Sequence, residues 1–202
     1  MVPNDPDTAG LIDRVRQGSE SAAGKLLDRH RGRLRQMVAV RMDDRLAARV
    51  DPSDVVQETL MVASRRLAQY VGEQPIAFYP WLRQIAWNCL VDLHRRHILA
   101  GRRAVDRDRH LGISETSAAQ LVDHLLTSET GPLGSLLKEE LRTRVRAVLG
   151  QLSEQDRELL LLRHLEQLTM GECAEVMGIS ETAATQRQLR ALQRLRRLLE
   201  IE

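Results

Sequence analysis

The sequence predicts an all-α protein of two small helical domains, and three observations carry that prediction. Leu, Ala and Arg recur in long runs without the β-branched alternation of strands. Aromatic residues make up only 2% of the chain and charged residues 29%, a composition suited to amphipathic helices. Capping residues and Pro or Gly breakers divide the chain into pieces of helical length. With 202 residues there is room for two small domains. The apolar periodicity assigns them to 8–99 and 136–202, with a polar linker over 100–135.

In order along the chain, Thr8 is expected to cap a first short helix that Gly18 ends. Ser19 then opens a longer helix carrying Leu26, Leu27, Leu34, Met37, Val38 and Val40 at helical spacing. Asp51 followed by Pro52 starts the next, because aspartate caps and proline is preorganised for the first helical position. That helix should bury Val55, Val56, Thr59, Leu60, Val62, Ala63 and Leu67. Gly72, Pro75 and Pro80 break the chain, and another helix runs from about Trp81 to His97. Residues 101–132 are polar and charge-mixed apart from one Leu-Val-Leu-Leu segment, and read as a linker with transient helix. Past it come a helix to Leu149, a second opened by the Ser153 to Asp156 capping signal, and a final pair.

That pair is the most informative stretch. Thr169 and Glu172 form a capping box, since hydroxyl and carboxylate can each satisfy an orphan backbone N–H. Gly178 stops the short helix, and Ile179 leads into a longer one without Gly or Pro to Leu199. This is a helix-turn-helix. From Thr182 through Leu199 there is no acidic residue, while Arg187, Arg190, Arg194, Arg196 and Arg197 fall within the span. Ala184, Ala191, Leu192, Leu195 and Leu199 form the apolar stripe. A solvated amphipathic helix shares that stripe, but the turn and the missing acids point to DNA.

A second constellation lies earlier. All five aromatic residues, Tyr70, Phe78, Tyr79, Trp81 and Trp87, fall in one window, followed by Asn88, Asp92, His94, Arg95, Arg96 and His97. Aromatic faces beside arginines can hold unstacked bases, because every base has a π-face. Trp87 fits a core position better, and Trp81 suits either role.

Other classes lose ground on the same residues. The formal net charge of +2 is too small for a nonspecific polyanion binder. There is no phosphate-cradling glycine loop and no nucleophile beside a base, so no catalytic residue is expected. Cys89 and Cys173 are far apart among apolar neighbours, as buried inert thiols are. His94 and His97 share a helix face near Cys89, but read as histidines near phosphate rather than metal ligands. No cofactor and no metal are expected. The sequence begins without a signal peptide and contains no run approaching a membrane span, so a cytoplasmic location without direct membrane association is expected.

Together, DPSDVVQETLMVASRRL, PWLRQIAWNCLVDLHRRH and LSEQDRELLLLRHLEQLTMGECAEVMGISETAATQRQLRALQRLRRLL resemble an extracytoplasmic-function (ECF) sigma factor of bacterial RNA polymerase. The resemblance implies that 8–99 is region two, which binds core polymerase and reads the promoter −10 element. It implies that 136–202 is region four, whose helix-turn-helix reads the −35 element. Core RNA polymerase and promoter DNA are the implied partners, and an anti-sigma factor is a further one that the resemblance allows.

By the same resemblance, Asp54, Gln57 and Glu58 match the polymerase-binding pattern, on one helix face opposite Val55, Val56 and Leu60. Trp81, Asn88, Arg95 and Arg96 match the −10 pattern, with Asp92 as a base-side residue or an internal partner of Arg95 or Arg96. In the −35 helix, Thr185, Gln186, Leu189 and Arg190 would face bases and Arg194 the backbone. Arg187 would join them or pair with Glu172 or Glu175. Thr185, Gln186 and Gln188 depart from the usual basic, serine and apolar residues, so the promoter sequence cannot be borrowed. The rival, a helix-turn-helix repressor or activator acting without polymerase, gives DPSDVVQE and the aromatic window no role.

Overall fold

The computed structural model describes residues 5–42, 44–98, 115–129 and 135–200. Among these the secondary structure is entirely helical, in two compact units, 1–112 and 113–202.

The first unit holds α1 (Pro6–Arg16), α2 (Glu20–Arg41), α3 (Asp44–Ala47), α4 (Pro52–Glu73) and α5 (Phe78–Ile98). Asp5, not Thr8, caps α1. Its carboxylate accepts from Thr8 N at 3.1 Å and from Thr8 Oγ1 at 2.5 Å, and Pro6 takes the first helical position. Thr8 lies buried in the first turn, its Oγ1 3.2 Å from His30 Nε2. Gly18, at φ 87°, lets the chain turn before Ser19 caps α2.

Asp51 caps α4 through Ser53 N at 2.7 Å. That helix runs past Gly72 and ends at Gln74 in the left-handed region, φ 39°. Pro80 does not break the chain, because it sits in the first turn of α5, where a missing N–H costs nothing. Helices α2, α4 and α5 bury Leu26, Leu34, Met37, Val55, Val56, Ala63, Phe78, Leu82 and Leu90 against one another. Val62, expected in the core, is only half-buried.

The second unit holds α6 (Glu115–Glu129), α7 (Ser135–Gly150), α8 (Glu154–His164), α9 (Met170–Met177) and α10 (Glu181–Glu200). Here the expected linker over 100–135 needs correction. Residues 115–129 form α6, which packs on α7 and α8 with Leu121 and Val122 each 1% exposed. Leu121 and Val122 of the Leu-Val-Leu-Leu segment lie on the packed face of this helix, and their apolar partners are supplied from later in the chain. The second unit therefore begins near residue 113 rather than 136. Leu159, Leu160, Leu161 and Leu162 are all fully buried, because α8 is packed by α6, α9 and α10.

Candidate nucleic-acid and partner interface

The turn between α9 and α10 is fixed locally. Thr169 N donates to Glu172 Oε2 at 2.9 Å and Glu172 N donates to Thr169 Oγ1 at 3.2 Å, completing the capping box. At the other end of α9, Gly178 adopts φ 66°, Ile179 N donates to Ala174 O at 3.0 Å and Gly178 N donates to Glu175 O at 3.3 Å. This pair of bonds closes the helix and reverses the chain. Ser180 Oγ accepts from Ala183 N at 3.1 Å and so caps α10.

On α10, Ala184, Ala191 and Leu195 are buried, so the opposite face is presented outward. Thr185, Gln186, Leu189, Arg190 and Arg194 are all exposed there. Thr185 Oγ1 donates to Glu181 O at 2.9 Å, and Arg190 Nε donates to Gln186 O at 3.3 Å.

Arg187 reaches α8 rather than Glu172 or Glu175. Its Nη1 donates to Gln155 Oε1, and its Nε lies 3.9 Å from Asp156 Oδ1, so it joins α10 to the first turn of α8. Pairing with Glu172 or Glu175 does not occur, and Glu172 supplies its carboxylate to the capping box. Gln188, beside this contact, is half-buried.

In the first unit the aromatic window forms a cluster within the helical packing. Tyr70 and Phe78 are buried, and Trp81 is half-buried with ring centroids 4.5 Å from Tyr70 and 5.5 Å from Phe78. Tyr70 Oη donates to Ile76 O at 3.0 Å, which holds the α4–α5 connection under the rings. Trp87 is half-buried between the guanidiniums of Arg41 and Arg83, 5.6 and 5.8 Å from its ring centroid. Arg33 stacks over Tyr79 at 3.6 Å.

Asn88, Arg95 and Arg96 are exposed further along α5, and Asp92 lies 4.0 Å from Arg95. Burial, outweighing a hydrogen bond with Thr59, pushes the Cys89 thiol above its ordinary pKa. The side chain of His97 lies outside the described residues. Among those residues no group of three or more His, Cys, Asp and Glu side chains is placed to hold a metal ion.

Asp54 and Gln57 are exposed on α4 and Glu58 is half-buried, so the three share an accessible edge. Sequence reasoning missed Met61, which is 53% exposed. With Arg31, Gln57, Leu60, Ser64 and Arg65 it lines a shallow depression between α2 and α4. The signal was its spacing: four residues after Gln57 and three after Glu58, it falls on their face and off the Val55–Val56–Leu60 stripe.

Comparisons with known proteins agree with this division. The sequence profile of Sigma-70 region 2 matches residues 26–98, and that of Sigma-70, region 4 matches 142–195. The chain is 30% identical over 182 residues to the ECF RNA polymerase sigma-E factor of Haemophilus influenzae, covering 90% of this chain and 89% of that protein. It is 30% identical over 208 residues to the RNA polymerase sigma factor CnrH of Cupriavidus metallidurans, covering 100% and 98%. A solved structure of CnrH in complex with the cytosolic domain of CnrY superposes with a TM-score of 0.53 at 26% identity, covering 98% of this chain and 99% of that one.

Proposed function

Because the chain belongs to the ECF sigma factors, alternative sigma factors of bacterial transcription initiation, we propose that it directs core RNA polymerase to promoters through two separate surfaces. The first is the edge of α4 carrying Asp54, Gln57 and Glu58, which docks on core polymerase. On α5, Trp81, Asn88, Arg95 and Arg96 meet the −10 segment. The second surface is the outward face of α10, where Thr185, Gln186, Leu189, Arg190 and Arg194 meet the −35 duplex. Arg187 holds α10 in position.

The observation that carries this reading is the face of α10. Its apolar stripe is buried in its own unit, and the side left outward holds arginines and neutral polar groups with no carboxylate from Thr182 to Leu199. Phosphates attract the arginines of that face, and base edges hydrogen-bond to its glutamine. Opening the −10 segment costs a few kcal/mol per unstacked step, which contacts to the separated strand must offset. The protein performs no chemistry of its own and works in the cytoplasm, where polymerase and promoter are. No described helix is long and apolar enough to cross a membrane. An anti-sigma protein that covers the α4 edge would compete with polymerase.

Reconstitution with bacterial core polymerase on a promoter library tests the proposal. The expected result is stable binding to core and new transcription start sites that share a −35 and a −10 element. Purified protein that neither binds core nor directs start sites overturns it.

A further inference from the structure

Two large apolar side chains stand out as exposed among the described residues, Met61 on α4 and Leu189 on α10, the latter 56% accessible. Leu189 occupies the outermost line of its helix. At about 100° per residue it lies opposite the buried Ala184, Ala191 and Leu195, with the exposed Thr182, Thr185, Gln186 and Gln193 around it and the exposed Arg196 two turns on. A leucine with threonines and glutamines as its nearest neighbours has no hydrogen bond of its own to offer a base. Its neighbour one turn earlier adds little, because Thr185 directs its hydroxyl hydrogen to the Glu181 carbonyl and keeps only an acceptor and a methyl for a ligand. The centre of this surface is therefore apolar, and the flank is set by Arg190, tied through Nε to the Gln186 carbonyl.

In the major groove only thymine presents an apolar group, its 5-methyl, while the other base edges are donors and acceptors. We propose that Leu189 reads the 5-methyl group of a thymine in the −35 duplex, with Gln186 beside it placed to hydrogen-bond an adenine edge. The −35 element of this protein then contains an A·T pair at the centre of the α10 footprint. This inference rests on α10 being the promoter-facing helix.

Uracil differs from thymine only by lacking that methyl, so it isolates the contact. The full-length protein with core polymerase first selects a promoter from a random library. Each thymine of the selected −35 element, on either strand, is then replaced singly by uracil. At one position the wild-type complex should bind the uracil duplex about fourfold more weakly, the effect of one buried carbon group. Leu189→Ala should bind thymine and uracil duplexes alike, and Leu189→Met should keep the sensitivity. A −35 element without thymine, no uracil-sensitive position, or equal sensitivity in Leu189→Ala overturns this inference while promoter selection stands. Failure to select any sequence overturns the promoter reading, and this inference falls with it.

Discussion

Arg187 Nη1 donates to Gln155 Oε1, joining α10 to α8 across 32 residues of sequence. With Asp156 Oδ1 3.9 Å from Nε, the guanidinium is a strut within the second unit. Both charged side chains are about three-quarters covered, so screening weakens the pair less than at an open surface. Arg187→Ala should lower the unfolding free energy of this unit by about 1 kcal/mol. It should leave the slope of log affinity against log salt unchanged. Asp156→Ala should cost a similar amount, and the double variant less than the sum of the two. Denaturant melts and salt titrations measure both.

Arg190 and Arg194 should part company in the same titrations. Both are exposed on α10, but Arg190 borders the face carrying Gln186 and Leu189. Arg190→Ala should relax sequence preference, narrowing the ratio of specific to scrambled binding. Arg194→Ala should weaken both alike and reduce the salt slope by about 1. Equal losses on specific and scrambled duplexes for both variants would contradict this division.

Met61 gives the proposed polymerase-docking edge of α4 an apolar centre beside Gln57. Since it is 53% exposed, Met61→Glu should leave the thermal melt of the free protein within about 0.5 kcal/mol of wild type. Affinity for core polymerase should fall about tenfold or more, as when a central interface side chain is lost. Unaltered affinity in a pull-down or fluorescence assay would place the docking surface elsewhere.

Gly178 carries the turn at φ 66°, and an added Cβ would meet nothing within 4 Å. The penalty of Gly178→Ala is thus backbone strain alone, about 1 to 2 kcal/mol. Calorimetry should show a lower Tm, with promoter affinity near wild type at temperatures where the variant stays folded.

Acid should loosen the start of α1. Burial alone would raise the Asp5 carboxyl, but hydrogen bonds from Thr8 and the charge and hydrogen bond of Arg29 together hold it below the ordinary aspartate value of 3.8. A carboxyl lowered in the folded state stabilises above its unfolded value and loses that contribution as pH falls through the folded one. Hydrogen exchange should show α1 protected at about pH 7 and fraying increasingly as pH is lowered below 3.8. In Asp5→Ala the fraying should be present throughout, from loss of a cap that contributes about 1 kcal/mol.

Signals confined to a few neighbouring residues were legible in the sequence. Asp51–Pro52, Thr169 with Glu172, and Gly178 determine caps and turns within one helical turn, and the structure has them where expected. Features decided by distant chain were not. The cap of α1 is a local exception, since Asp5 and Thr8 are both capping residues and the adjacent Pro6 separates them. The Arg187 strut depends on where α8 packs, and α6 on apolar faces supplied by α7 and α8. Met61 looks like one more core methionine until its register on α4 is counted.

Helix α6 also redraws where this chain can change its length. Loss or gain of a residue between Glu115 and Glu129 rotates Leu121 and Val122 out of register with α7 and α8 and so damages a core. Among relatives of this chain, 115–129 should therefore keep a constant length and vary chiefly on the face away from α7 and α8.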